Sequence, residues 1–73
     1  MYKIFTPNQT VYTVNNKTNR VDTWRYFGEF PAKNETLCHL INERNQYVYI
    51  PKRCVFSTEE DALKVLNGAK NFN

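Results

Sequence analysis

Between Thr10 and Phe56 the chain breaks into short runs of β-branched and aromatic residues, separated by Asn-, Pro- and charge-rich clusters. That punctuation is the signature of antiparallel hairpins. Thr10 to Val14 alternates Thr, Val and Tyr and reads as a strand. Asn15 to Asn19 is a polar turn whose asparagines tolerate the left-handed backbone region. Arg20 to Phe30 forms a second strand, and Pro31 to Glu35 is a loop. Thr36 to Asn42 and Gln46 to Ile50 form a second hairpin around Glu43 to Gln46. Pro51-Lys52-Arg53 interrupts, and Cys54-Val55-Phe56 resumes an extended path. At the start, Tyr2 to Phe5 is short and apolar and ends at Thr6-Pro7-Asn8, where proline removes a ladder donor.

The longest strand carries a contradiction. With strict alternation, Asp22, Trp24, Tyr26, Gly28 and Phe30 share one face, and Val21, Thr23, Arg25, Phe27 and Glu29 the other. Neither face is cleanly apolar. The expected resolution is a bend near Gly28, with the strand shared between two halves of a barrel.

A helix is predicted over about 58–67. Ser57 with Glu60 fits the capping-box pattern, and Thr58 with Asp61 offers a poorer register of it. Glu59, Glu60 and Asp61 meet the positive end of the helix dipole, which accounts for this acidic cluster without a metal. Ala62, Val65, Leu66 and Ala69 form the apolar stripe, with Leu63 at its edge. Gly68 falls at the expected C′ position, leaving 69–73 as a frayed tail.

At 73 residues the chain has room for one domain and one core, with β structure over 2–56 and the closing helix after it. Five Tyr, five Phe and Trp24 supply large buried area per residue, which lets a small core be filled. The net charge is +3, and it permits an acidic partner without demanding one. No apolar run approaches the roughly 18 residues needed to span a bilayer, and the first residues lack a signal-peptide core. A cytoplasmic location is expected, with Cys38 and Cys54 as reduced, buried thiols.

The order of elements implies a mainly β fold, a small SH3-like five-stranded barrel with one C-terminal helix. Val11-Tyr12-Thr13-Val14, and Tyr47-Val48-Tyr49-Ile50-Pro51 leading into Val55-Phe56-Ser57-Thr58-Glu59-Glu60-Asp61-Ala62-Leu63, resemble small bacteriophage-encoded SH3-like barrel proteins. The resemblance covers roughly residues 10–67. It implies a fold and an origin, with phage products acting in the host cytoplasm, and it carries over no catalytic residue.

Enzyme chemistry is not expected. His39 is the one histidine, and its neighbour Cys38 points to the opposite side of a strand, so the two cannot form a nucleophile–base pair within it. Two Cys and one His lack the number and spacing of a structural zinc site. With only Gly28 and Gly68, no glycine-rich phosphate loop exists, and no cofactor is expected. Binding is the remaining class. Trp24-Arg25-Tyr26-Phe27 interleaves a cation with three rings, Arg44 sits at a hairpin tip, and Lys52 and Arg53 follow Tyr47 and Tyr49. If the Val48 and Ile50 side is core, both tyrosines face outward, whereas Trp24 and Phe27 are expected in the core of so small a domain. Such a set suits a protein partner, possibly a host protein, since interfaces favour Tyr, Trp and Arg. It also suits single-stranded nucleic acid, with rings on bases and cations on phosphates. Self-assembly through aromatic faces, as in a virion component, is the third expectation.

Overall fold

The computed structural model describes residues 3–71, and side chains for residues 3–68. Tyr2, the side chain of Ala69 and residues 72–73 lie outside the described residues. Four strands form one antiparallel sheet in the order β1-β2-β3-β4: β1 Thr10–Asn15, β2 Arg20–Ala32, β3 Glu35–Ile41 and β4 Tyr47–Pro51. A short 3-10 turn, Lys52–Cys54, follows β4, and helix α1 spans Glu59–Asn71.

The expected strands are present within one or two residues of their bounds, but the sheet has four strands and is not closed. Lys3 to Thr6 adopts no strand. The Cys54–Phe56 stretch contributes only an isolated bridge, in which Tyr12 and Phe56 exchange backbone hydrogen bonds of 2.8 Å. A five-stranded barrel is thus replaced by a four-stranded sheet whose β1 edge is covered at one point. Lys3 reinforces this corner: its Nζ donates to the carbonyls of Val55 (2.9 Å) and Arg53 (3.2 Å) and lies 4.7 Å from the Phe56 ring centre.

The expected bend in β2 is present as a β-bulge. Tyr26 pairs with Leu40, but Gly28 pairs with His39, leaving Phe27 as the extra residue. The strand pairs with both its neighbours in one open sheet and is not shared between two halves of a barrel: residues 20–25 pair with β1, and 25–32 pair with β3. An extra residue shifts the alternation by one. Trp24 and Tyr26 face the core ahead of the bulge, while beyond it Glu29 opposite Cys38 takes the inner side and Phe30 opposite Leu37 the outer. The mixed faces of β2 are therefore two clean half-patterns joined out of phase.

The core is built from Phe5, Val11, Tyr26, Cys38, Leu40 and Val55, with Trp24, Val48 and Ile50 packed against it. Phe5 and Tyr26 rings meet at 5.3 Å, and Trp24 Nε1 donates to the buried Thr13 Oγ1 at 2.9 Å. The Asn turns behave as anticipated. Asn19 and Asn45 have φ of 56° and 61°, as does Asn8 at 68° after Pro7. Asn42 Oδ1 accepts from the amides of Arg44 and Gln46, closing the β3–β4 turn. Pro51 is accommodated within β4 because that strand is the sheet edge.

Several helix details differ from the sequence reading. Thr58, not Ser57, is the N-cap: its Oγ1 accepts from the Asp61 amide at 3.1 Å. Phe56 is held extended by its bridge, so the chain turns only after Ser57. Gly68 lies inside α1 without a positive φ, and the helix continues to Asn71 rather than ending at 67. Ala62 and Leu66 are buried and α1 packs against β1 and β2, whereas Val65, expected on the apolar stripe, is exposed. Cys54 is exposed too, because a one-turn 3-10 element offers it no core face, while Cys38 is buried as expected.

The cap assignment is testable by urea denaturation. Thr58→Ala is expected to cost about 1 kcal/mol through the lost cap. Ser57→Ala should change stability by less than ~0.5 kcal/mol.

Candidate functional site

Residues 37, 39 and 41 of β3 face away from the core, because Cys38 and Leu40 face into it. His39 pairs with Tyr49 of β4 on one side and Gly28 of β2 on the other. Gly28 offers no side chain in this row. The neighbouring Phe27 lies over the gap instead, its ring centre 5.2 Å from that of His39 in an edge-on arrangement. Tyr47 and Tyr49 rings sit 5.2 Å and 4.9 Å from His39. Phe30 meets Tyr49 edge-on at 5.4 Å. Five rings from three strands thus form one cluster centred on His39.

The cluster faces solvent. Phe27 is 62% exposed, Tyr47 59%, Tyr49 49% and Phe30 41%. Edge-to-face pairs at these spacings are each worth about 0.5–1.5 kcal/mol, so the rings hold one another in place. His39 is half-buried among them, and its Nε2 is buried without a hydrogen-bond partner. A contiguous exposed patch of large apolar side chains on a small domain is the kind of surface that binds.

Next to Tyr47 lies a polar groove. Trp24, Arg25, Ile41, Arg44 and the acidic Glu43 are among its lining residues. Three of the expected binding residues, Trp24, Arg25 and Arg44, therefore come together here, and Ile41 opposite Tyr47 joins the groove to the rings. Arg25 and Arg44 are exposed and make no ion pair among the described residues.

The remaining expected residues have other neighbours. Tyr26 is 6% exposed, and its Oη donates to Glu29 Oε1 at 2.7 Å, so its ring belongs to the core and not to a binding face. Lys52 is half-buried and donates to Glu29 Oε2 at 3.2 Å, tying the 3-10 turn to β2. Arg53, although exposed, is paired with Glu35 across the turn. Phe27, expected in the core, lies on the outer face, because it is the extra residue of the bulge and sits against His39; Phe30 and His39 share that face and lay outside the expected set. The alternation of β3 already placed His39 opposite the core. The two phenylalanines needed the bulge.

Electrostatics outside the ring cluster centre on Glu29. The Tyr26 hydroxyl lowers its carboxyl pKa from the ordinary value, burial opposes this, and the Lys52 ammonium adds to the lowering. Burial, followed by the Glu29 hydrogen bond, pushes the Tyr26 phenol well above its ordinary value. Burial likewise raises the Cys38 thiol, which disfavours the thiolate form a nucleophile needs. Among the described residues no three His, Cys, Asp or Glu side chains cluster to hold a metal ion, and no helix is long and apolar enough to cross a membrane.

Comparison with family models, curated proteins and solved structures finds no significant match.

The lowered Glu29 pKa makes a signed prediction. The unfolded carboxyl binds a proton more readily than the folded one, so stability is fully present above the ordinary value of 4.5 and is lost as pH falls through the folded pKa. Glu29→Gln should flatten the fall of Tm with acidification below that pH. An unchanged acid slope would show that the Tyr26–Glu29–Lys52 chain makes no contribution.

Proposed function

We propose that this chain is a non-catalytic protein-binding module whose recognition surface is the outer face of β2, β3 and β4. The exposed five-ring cluster of Phe27, Phe30, His39, Tyr47 and Tyr49 carries the proposal. Its rings hang from paired strands and brace one another, so little conformational entropy is lost when a partner covers them. Arg25 and Arg44 lie at one rim, which matches the arrangement of an apolar centre with a polar margin. The fold reading that accompanies it is SH3-like, with the Tyr12–Phe56 bridge standing in for a fifth strand. The bent β2 shared by two hairpins supports that reading. The phage-like sequence pattern supports an origin as a phage product that docks on and modulates a host protein in the host cytoplasm.

A nucleic-acid interface is the second reading, favoured by the unpaired Arg25 and Arg44 beside Tyr47. Of the four cations expected to serve it, Lys52 and Arg53 are engaged by Glu29 and Glu35. Arg25 and Arg44, the two of that set without an ion pair among the described residues, and a net charge of +3 fall short of the basic footprint such binding needs.

Capture from a bacterial lysate at high salt tests the choice. The wild-type chain is expected to retain a host protein in stoichiometric amount. Tyr47→Ala and Tyr49→Ala should each weaken that partner by about 2 kcal/mol, roughly 30-fold, in a domain that remains folded, with the loss of their ring–ring contacts read separately as a lower Tm. Binding that survives removal of the rings would end the proposal. Affinity for a mixed RNA and DNA pool that falls steeply with salt would favour the second reading.

A further inference from the structure

The two edges of the sheet are treated differently. On the β1 side, Phe56 bridges Tyr12, and α1 packs against β1 and β2. On the β4 side the sheet simply stops. Backbone bonding in an antiparallel ladder alternates, so every second residue of an edge strand turns its N–H and C=O outward. The phase is fixed by the hairpin turn, where the Asn42 amide donates to the Gln46 carbonyl at 2.9 Å. Counting from that bonded pair, Val48 opposite Leu40 and Ile50 opposite Cys38 bond to β3. Tyr47, Tyr49 and Pro51 point their backbone groups away from the sheet. Pro51 fits this phase, since its missing N–H falls on the side where no β3 partner waits. Among the described residues, no backbone hydrogen bond beyond the β3 ladder reaches Tyr47 to Ile50.

Such edges are commonly guarded by a charge, a bulge, a proline or a short strand. Here Pro51 guards only the last position of β4, and Tyr47-Val48-Tyr49-Ile50 carries no charge and no bulge. We propose that β4 pairs antiparallel with β4 of a second copy of this chain about a two-fold axis at Val48. In that register Tyr47 of each copy exchanges both backbone hydrogen bonds with Tyr49 of the other, so the outward N–H and C=O groups of both tyrosines are satisfied in each copy. Val48 meets its own copy on the core side, and Tyr47 lies beside the other copy's Tyr49 on the outer side. A two-residue shift, centring the pair on Tyr49, would set each Tyr47 carbonyl against a Pro51 that cannot donate. Self-complementarity of one surface is what a closed dimer requires, and the paired edges leave a continuous outer face from both copies. A separate partner lending an extended strand would use the same edge, and it is an outcome of the test.

Sedimentation over a wide concentration range, with residue-level amide exchange, reads this directly. Monomer is expected at low concentration, moving to twice the monomer mass at high concentration. Over the same range the Tyr47 and Tyr49 amides should gain protection, while Val48 and Ile50 are protected throughout. Tyr49→Pro removes the outward donor and spares the β3 ladder, and it should abolish association. Tyr49→Thr keeps the donor and loses the ring, and it should still associate. A strict monomer at millimolar concentration would overturn the proposal and leave the edge to a different chain's strand. Association lost in Tyr49→Thr, or surviving in Tyr49→Pro, would also overturn it, by assigning the contact to the ring face and not to the backbone edge.

Discussion

One extra residue in β2 determines what each side of this sheet presents. With the extra residue at Phe27, the strand turns Trp24 and Tyr26 into the core and Phe30 out of it, although strict alternation would put all three on one face. Without it, Phe30 would lie beneath the sheet and the outer face would lose its second phenylalanine. The same shift carries Glu29 to the inner side, where it accepts the Tyr26 hydroxyl and the Lys52 ammonium. That contact ties the long strand to the 3-10 turn, which in turn delivers Val55 to the core and Phe56 to β1. Core filling, corner closure and the aromatic face thus depend on one local irregularity.

The division of labour that results is economical for a chain of 73 residues. A small group of side chains, Val11, Cys38, Leu40 and Val55, is wholly buried and supplies the hydrophobic drive. Much of the aromatic inventory stays outside the core, and Phe27, Phe30, Tyr47 and Tyr49 are all substantially exposed. Leaving large rings in water sacrifices burial that a marginal domain could use, which is the basis of the binding role proposed for the cluster. The cations divide in a similar way. Lys3, Lys52 and Arg53 satisfy backbone carbonyls or carboxylates that hold the closing corner, while Arg25 and Arg44 remain at the rim of the ring cluster.

Much of this was readable from the residues, and the failures share a cause. Strand positions followed from β-branched runs and Asn turns, because local propensity and turn chemistry agree there. Tyr47 and Tyr49 were correctly placed outward, since Val48 and Ile50 set the phase of β4. The bend near Gly28 was legible from conflicting faces. Its form was not: a bend without an added residue leaves Phe27 and Phe30 on opposite sides, and only pairing with β3 reveals the shift. Tyr26 was misjudged as a binding residue for the same reason, as its neighbours Arg25 and Phe27 are both exposed. Thr58 replaced Ser57 as cap because a distant bridge to Tyr12 holds Phe56 extended. Each error arose where a partner far along the chain decided between locally equivalent arrangements.

Ring-to-methyl and ring-to-ring cross-relaxation in solution addresses the bulge most directly. Phe30 protons should show transfer to the Tyr49 ring, and Phe27 protons to His39, with Tyr26 seen against Phe5 in the core. Transfer from Phe30 to the methyls of Leu40 or Val55 would instead place that ring inside, and β2 would then alternate without interruption, contrary to this account.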